Sequence, residues 1–243
     1  MTDNYIVLDT ETTGLNPARD KVLEIGAARI EQGRVVETFE TLIDTGVPIP
    51  ELITELTGIT DAMQAEGKKT EEAFREFFDF CKDLPILGHN ITFDFSFLKQ
   101  MAVNLGYSFE KDGIDTLKIA RKVLSDLPSR RLPDLCVHYG IDPGHSHRAL
   151  DDALATHELL QRLWKEFGEK EPDAFAARPL QYSAKKQNPI TDSQKGYLND
   201  LLKYHRIDTN IRIEDMTKSE ASRMIDKIIL NYGRMPKSGR RTG

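Results

Sequence analysis

The segment YIVLDTETTGLNP, residues 5–17, constrains this chain more than any other. Its first four residues are bulky or β-branched and apolar, as in a buried strand, and they run directly into Asp9 and Glu11. Side chains at i and i+2 of an extended segment leave the same face, so both carboxylates point into one space. Like charges held that close raise each other's proton affinity unless something positive sits between them. A helix cap does not account for the pair, and no basic residue lies near it in sequence. A fold built on this strand must bury its start and bring compensating charge to its end.

The rest of the chain supplies a body for such a strand. Residues 23–44, LEIGAARIEQGRVVETFETLID, alternate apolar and polar around a turn at Gly33 and predict antiparallel strands. The period then changes: TEEAFREFFDFCKD, residues 70–83, places Ala73, Phe74, Phe77, Phe78 and Cys81 on one helical face before Pro85. A short strand at PILGHN follows, then a helix from about Phe93 to Leu105 closed by Gly106. Further helices are expected over 116–124, 132–139 and 148–167, which makes residues 1–168 a mixed sheet covered by helices. Residues 169–189 hold three prolines and no sustained period, and predict a linker. In 190–233, TDSQ and TKSE each open an amphipathic run with a capping-box pattern, which predicts a small helical module. The basic stretch 234–243 is expected to be a disordered tail.

Two further places set acids against apolar structure. Asp94 stands in GHNITFDFSFL at a helix start, and HRALDDALATHELL puts His147 at a helix entrance with Asp151 and Asp152 in the first turn. Singly, acids at helix starts are explained by the helix dipole and by capping. Together with Asp9 and Glu11 they form an oxygen-rich set whose convergence requires divalent cations, Mg²⁺ or Mn²⁺ rather than Zn²⁺. Two such ions about 3.5–4 Å apart form a clamp for in-line attack on a phosphodiester. His147 is suited to be the base that takes the proton from water. The other histidines, 89, 138, 145, 157 and 205, are read as surface residues, His89 with the least support.

The combination DTETTG, HNITFDFSFL and HRALDDA resembles the three exonuclease motifs of the DnaQ-like family in its DEDDh branch, over about residues 1–168. LTGIT at 56–60 looks most like the exonuclease domain of PolC-type polymerases, although Thr57 stands where other members carry His. The resemblance implies a ribonuclease H-like α/β fold, a five-stranded mixed sheet flanked by helices, with the helical module appended. It implies two ions, with Asp9 bridging both, Glu11 and Asp152 on the nucleophile side, Asp94 on the other, and His147 as general base. Backbone amides near Thr12 and Thr13 would receive the terminal 3′-hydroxyl. Gly14 would permit close approach, Leu15 would pack on the last base, and Asn90 and Phe93 would line its pocket. The implied activity is 3′–5′ hydrolysis of DNA to nucleoside 5′-monophosphates, in proofreading with a polymerase on a separate chain or in repair. Trimming of RNA ends is the alternative, and a non-catalytic nucleic-acid-binding module is the reading from another class.

Charge distribution bears on the partner. Residues 178–243 carry 14 basic and 7 acidic groups, whereas 1–177 carry 19 basic and 32 acidic. The basic segment is expected either to tether nucleic acid or to dock on the acidic body. A salt dependence of DNA binding that survives its removal unchanged would exclude phosphate contacts by it. No apolar run reaches bilayer length, so no membrane association is expected. MTDNYIVLD lacks a basic start and a small-residue cleavage site, and only Cys81 and Cys136 are present, far apart, so a cytoplasmic chain beginning here is expected.

Overall fold

The computed structural model describes residues 2–144 and 147–236. The chain divides into two compact units, Met1–Thr45 with Ile49–Lys185 and Gly46–Pro48 with Lys186–Gly243. In the first unit β1 (Tyr5–Thr12), β2 (Val22–Glu31) and β3 (Arg34–Asp44) form an antiparallel meander. Two short helices, α1 (Glu51–Thr57) and α2 (Asp61–Ala65), and the two-residue β4 (Lys68–Lys69) lead to α3 (Thr70–Cys81). The chain continues through β5 (Ile86–Gly88), α4 (Thr92–Leu105), β6 (Asp112–Asp115), α5 (Thr116–Val123), α6 (Leu132–Tyr139), α7 (Ala149–Phe167) and β7 (Arg178–Pro179). The sheet order is β4-β3-β2-β1-β5-β6-β7, with β5 parallel to β1 and β6 parallel to β5. The five expected strands are its centre, and the two extra are two-residue edges.

Side-chain alternation explains why β1 is apolar on both sides. Tyr5 and Val7 join Ala28, Ile30 and the α7 residues Ala153, Leu159 and Leu160 in one core. Ile6 and Leu8 join Phe74 and Phe77 of α3 and Phe95 and Leu98 of α4 in the other. A strand covered on both faces reads as a continuous apolar run rather than an alternating one. Each fully buried Phe or Leu contributes roughly 1.5–3 kcal/mol, which fixes the register of β1. Carried past Leu8, the same alternation turns Asp9 and Glu11 toward the α7 side and Thr10 toward α4.

The segment 169–189 is not a free linker. A 3₁₀ turn at Pro172–Phe175 buries Phe175 completely, edge-on to Trp164 with ring centroids 5.1 Å apart. Arg178–Pro179 then pairs with β6, and Gln100 Nε2 donates to the Lys185 carbonyl at 2.8 Å. One aromatic anchor thus holds a proline-rich stretch on the body, and such an anchor leaves no periodic trace. The α1 and α2 turns, also without a sustained pattern, were not expected either.

In the second unit α8 (Asp192–His205) and α9 (Lys218–Tyr232) pack through Leu198, Leu201, Ala221 and Ile228. Both capping boxes form, Thr191 with Gln194 and Thr217 with Glu220. Each satisfies two otherwise unpaired amides, about 1 kcal/mol of helix stability per cap. Backbone bonds from Ile190 to Met216 and from Lys218 to Asn188 tie the entry of one helix to that of the other. Of the expected disordered tail, residues 237–243 lie outside the described residues, as does His145. No helix among the described residues is long and apolar enough to cross a membrane.

Candidate active site

Four separated segments end around one cavity of about 240 Å³, lined by Asp9, Glu11, Asp94, His147 and Asp152 together with His89, Asn90 and Phe93. All five predicted catalytic and metal-binding side chains are therefore brought together. Carboxylate oxygens of Glu11 and Asp152 and a ring nitrogen of His147 lie within 4.8 Å of one another. Asp94 lines the same cavity but is engaged differently. Its Oδ1 accepts the Thr10 amide at 3.0 Å and the Thr10 hydroxyl at 2.8 Å, which ties α4 to the end of β1. Asp152 accepts the His147 backbone N–H at 3.0 Å, and His147 sits at φ 66° in the left-handed region. The first turn of α7 thus fixes both the carboxylate and the residue bearing the imidazole.

The electrostatics are those of a buried cluster of mutually repelling acids. Burial, and then the charges of Asp94, Glu11 and Asp152, push Asp9 well above the usual carboxylate range. Glu11 is pushed up to about 8 by burial and then by Asp152, with Arg148 opposing. Burial takes Asp94 up to about 7 against the lowering effect of its bonds to Thr10. Asp152 is raised by burial and lowered in part by His147. A bound divalent ion would offset the mutual repulsion, and the oxygen-rich donor set with one imidazole fits a hard divalent cation.

The proposed substrate contacts are placed less uniformly. Asn90, at φ 71°, and Phe93 line the cavity. Leu15 is 84% exposed. The Thr13 amide donates to the Lys21 carbonyl at 2.8 Å, and the Thr12 hydroxyl donates to the Gly14 carbonyl at 2.6 Å. The Thr13 amide is therefore engaged within the fold and does not fit the expected contact to a terminal hydroxyl. Gly14 has a structural reason of its own: a Cβ there would lie 2.5 Å from an Asp20 carboxylate oxygen.

Three supporting groups escaped sequence reasoning. Glu24, opposite Glu11 in the β1–β2 register, is fully buried and receives Arg148 Nη2 at 2.7 Å and the Ala149 amide at 3.0 Å. It satisfies a free amide at the α7 N-terminus and holds that helix against the sheet. Gly26, opposite Asp9, lets α7 approach: a Cβ there would stand 2.0 Å from the Leu150 nitrogen. Asp115 accepts the Asn90 amide at 3.1 Å and caps α5. The available signals were an acid and a glycine inside the apolar VLEIGAAR strand.

Solved structures share the fold of the first unit. The zinc-bound complex of E. coli exonuclease I with single-stranded DNA aligns with a TM-score of 0.63 at 22% identity, over 71% of this chain and 42% of that one. Exonuclease X in complex with 5′-overhanging duplex DNA aligns with a TM-score of 0.55 at 24% identity, over 68% and 93%. A family model described as an exonuclease, RNase_T, matches residues 6–160, and the chain belongs to that family. Its relatives include the PolC-type DNA polymerase III of Caldanaerobacter subterraneus subsp. tengcongensis, 37% identical over 165 residues, and that of Lacticaseibacillus paracasei, 39% identical over 163. These matches cover 68% and 67% of this chain but only 12% and 11% of the polymerases.

Proposed function

We propose that this cleft hydrolyses the 3′-terminal phosphodiester of DNA and releases nucleoside 5′-monophosphates. The observation that carries the reading is the convergence of Asp9, Glu11, Asp94, Asp152 and His147 on one cavity. Two divalent cations held by the four carboxylates would supply positive charge to the scissile phosphodiester and its attacking water. The His147 ring takes the proton from that water, and the Asp152 bond to its backbone sets where the ring stands. Asn90 and Phe93 wall the terminal nucleotide, and exposed Leu15 packs on its base, a contact that tolerates any sequence. The PolC relatives and the DNA-bound structural neighbours support DNA over RNA, and support action beside a polymerase.

The test is degradation of one sequence as 3′-matched DNA, 3′-mismatched DNA and RNA, labelled at the 5′ end, with Mg²⁺ and with chelator. A one-nucleotide ladder on DNA that shortens from the 3′ end and vanishes with chelator is expected, faster on the frayed mismatch. Preferential loss of the RNA would move the reading to an exoribonuclease. Stoichiometric binding without any ladder would move it to a non-catalytic module.

A further inference from the structure

A second cavity of about 600 Å³ adjoins the acidic one and shares His89, Asn90 and Leu132 with it. Its wall is cationic, formed by Arg121, Arg130 and Arg131 with Ser129. Arg130 gives its guanidinium hydrogens to the Leu124 and Ser125 carbonyls, which fixes its position without neutralising its charge. Arg131 is offset by Asp134, with Nε–Oδ2 at 2.8 Å. Arg121, exposed in the last turn of α5, has no carboxylate partner among the described residues. Nearby Asp115 is matched by Lys118 at 3.6 Å. Two positive charges are thus left facing a cavity that opens beside four carboxylates, on a body of net negative charge.

His89 explains how this wall is held. The Arg130 carbonyl, 2.9 Å from Nε2, can only accept, so Nε2 carries the hydrogen. Nδ1 then accepts from the Thr116 hydroxyl at 2.9 Å. Burial pulls the ring below its ordinary pKa, in keeping with this neutral form. His89 therefore ties the 129–131 loop to the end of β5, between the two cavities.

We propose that the arginine-walled cavity binds backbone phosphates of the polynucleotide whose 3′ end enters the acidic cleft. The inference rests on the hydrolytic reading for its substrate and deepens it. An acidic cleft by itself repels a polyanion, and a fixed cationic wall beside it supplies the attraction and the register for entry. Arg121 is the informative position, because among the described residues its side chain is exposed and makes no hydrogen bond or ion pair.

The experiment uses the full-length chain and a 5′-fluorescein oligothymidylate. Anisotropy in EDTA, where no turnover occurs, gives the dissociation constant across a salt series for wild type, Arg121→Gln and Lys122→Gln. Lys122 neighbours Arg121 but pairs with Glu171 at 2.7 Å and lies outside the cavity wall. Arg121→Gln is expected to weaken binding about 5- to 10-fold and to lower the logarithmic salt slope by about 0.7, one single-strand phosphate contact. Lys122→Gln should leave both unchanged. An unchanged slope in Arg121→Gln, or an equal loss in Lys122→Gln, would overturn the phosphate cavity. Hydrolysis is scored separately with Mn²⁺: an inert wild type that still shows the Arg121 effect sinks the hydrolytic reading and leaves the binding cavity standing.

Discussion

Replacing Glu11 with Gln should stabilise the chelated protein at alkaline pH. The Glu11 carboxyl titrates at about 8 in the fold, against an ordinary 4.5, because burial and the neighbouring Asp152 disfavour its charge. Below pH about 4 the group is protonated both folded and unfolded and contributes nothing. As pH rises toward 8, the unfolded chain releases the proton and the folded chain keeps it, so stability is lost through that window. At about 1.4 kcal/mol per tenfold change in proton affinity the full penalty would be ~5 kcal/mol. Water reaching this partly buried side chain reduces it to ~2–3 kcal/mol. The amide is nearly isosteric and carries no charge. In EDTA at pH about 8.5, calorimetry should therefore show Glu11→Gln melting roughly 4–10 °C above wild type. At pH about 4.5 the two should coincide. Saturating Mn²⁺ should reverse the order, because wild type keeps the ligand that the variant has lost. Coincident melting at both pH values in EDTA would refute the claim that an uncompensated acid cluster lies in the cleft.

Other substitutions separate chemistry from scaffold. His147→Ala should lose about 10²- to 10⁴-fold in turnover while Mn²⁺ still raises the melting temperature, whereas full activity would remove the imidazole from the mechanism. Arg148→Ala leaves Glu24 buried with only the Ala149 amide as partner and should cost roughly 3–5 kcal/mol in urea titration, with Arg148→Lys recovering part of it. Gly26→Ala drives a methyl into the α7 backbone at Leu150, so activity should fall with a melting loss of several degrees, while a silent variant would show that α7 can retreat without disturbing Asp152.

Where the sequence spoke through periodicity or charge, it was legible. The one-sided face of residues 70–83 became α3, Gly106 closed α4 at φ 86°, and both capping boxes formed. The acids that line the cavity were also visible, since an acid pair at a strand end has few purely structural explanations. What stayed hidden were interactions between distant residues with no local pattern. Phe175 anchors a proline-rich stretch that looks like a linker, and only the tertiary fold brings Trp164 to meet it. Glu24 and Arg148 are 124 residues apart, and each alone resembles an ordinary surface charge. The resemblance implies a 3′-hydroxyl contact for backbone amides near Thr12 and Thr13, and the motif does not reveal that the Thr13 amide pairs with the Lys21 carbonyl across the β1–β2 bend.

Manganese soaked into crystals of the chain and located by anomalous diffraction probes the metal site itself. Two peaks among the carboxylates of Asp9, Glu11, Asp94 and Asp152, beside the His147 ring, are predicted. Peaks found only elsewhere on the surface, with these carboxylates unchanged in position, would contradict it.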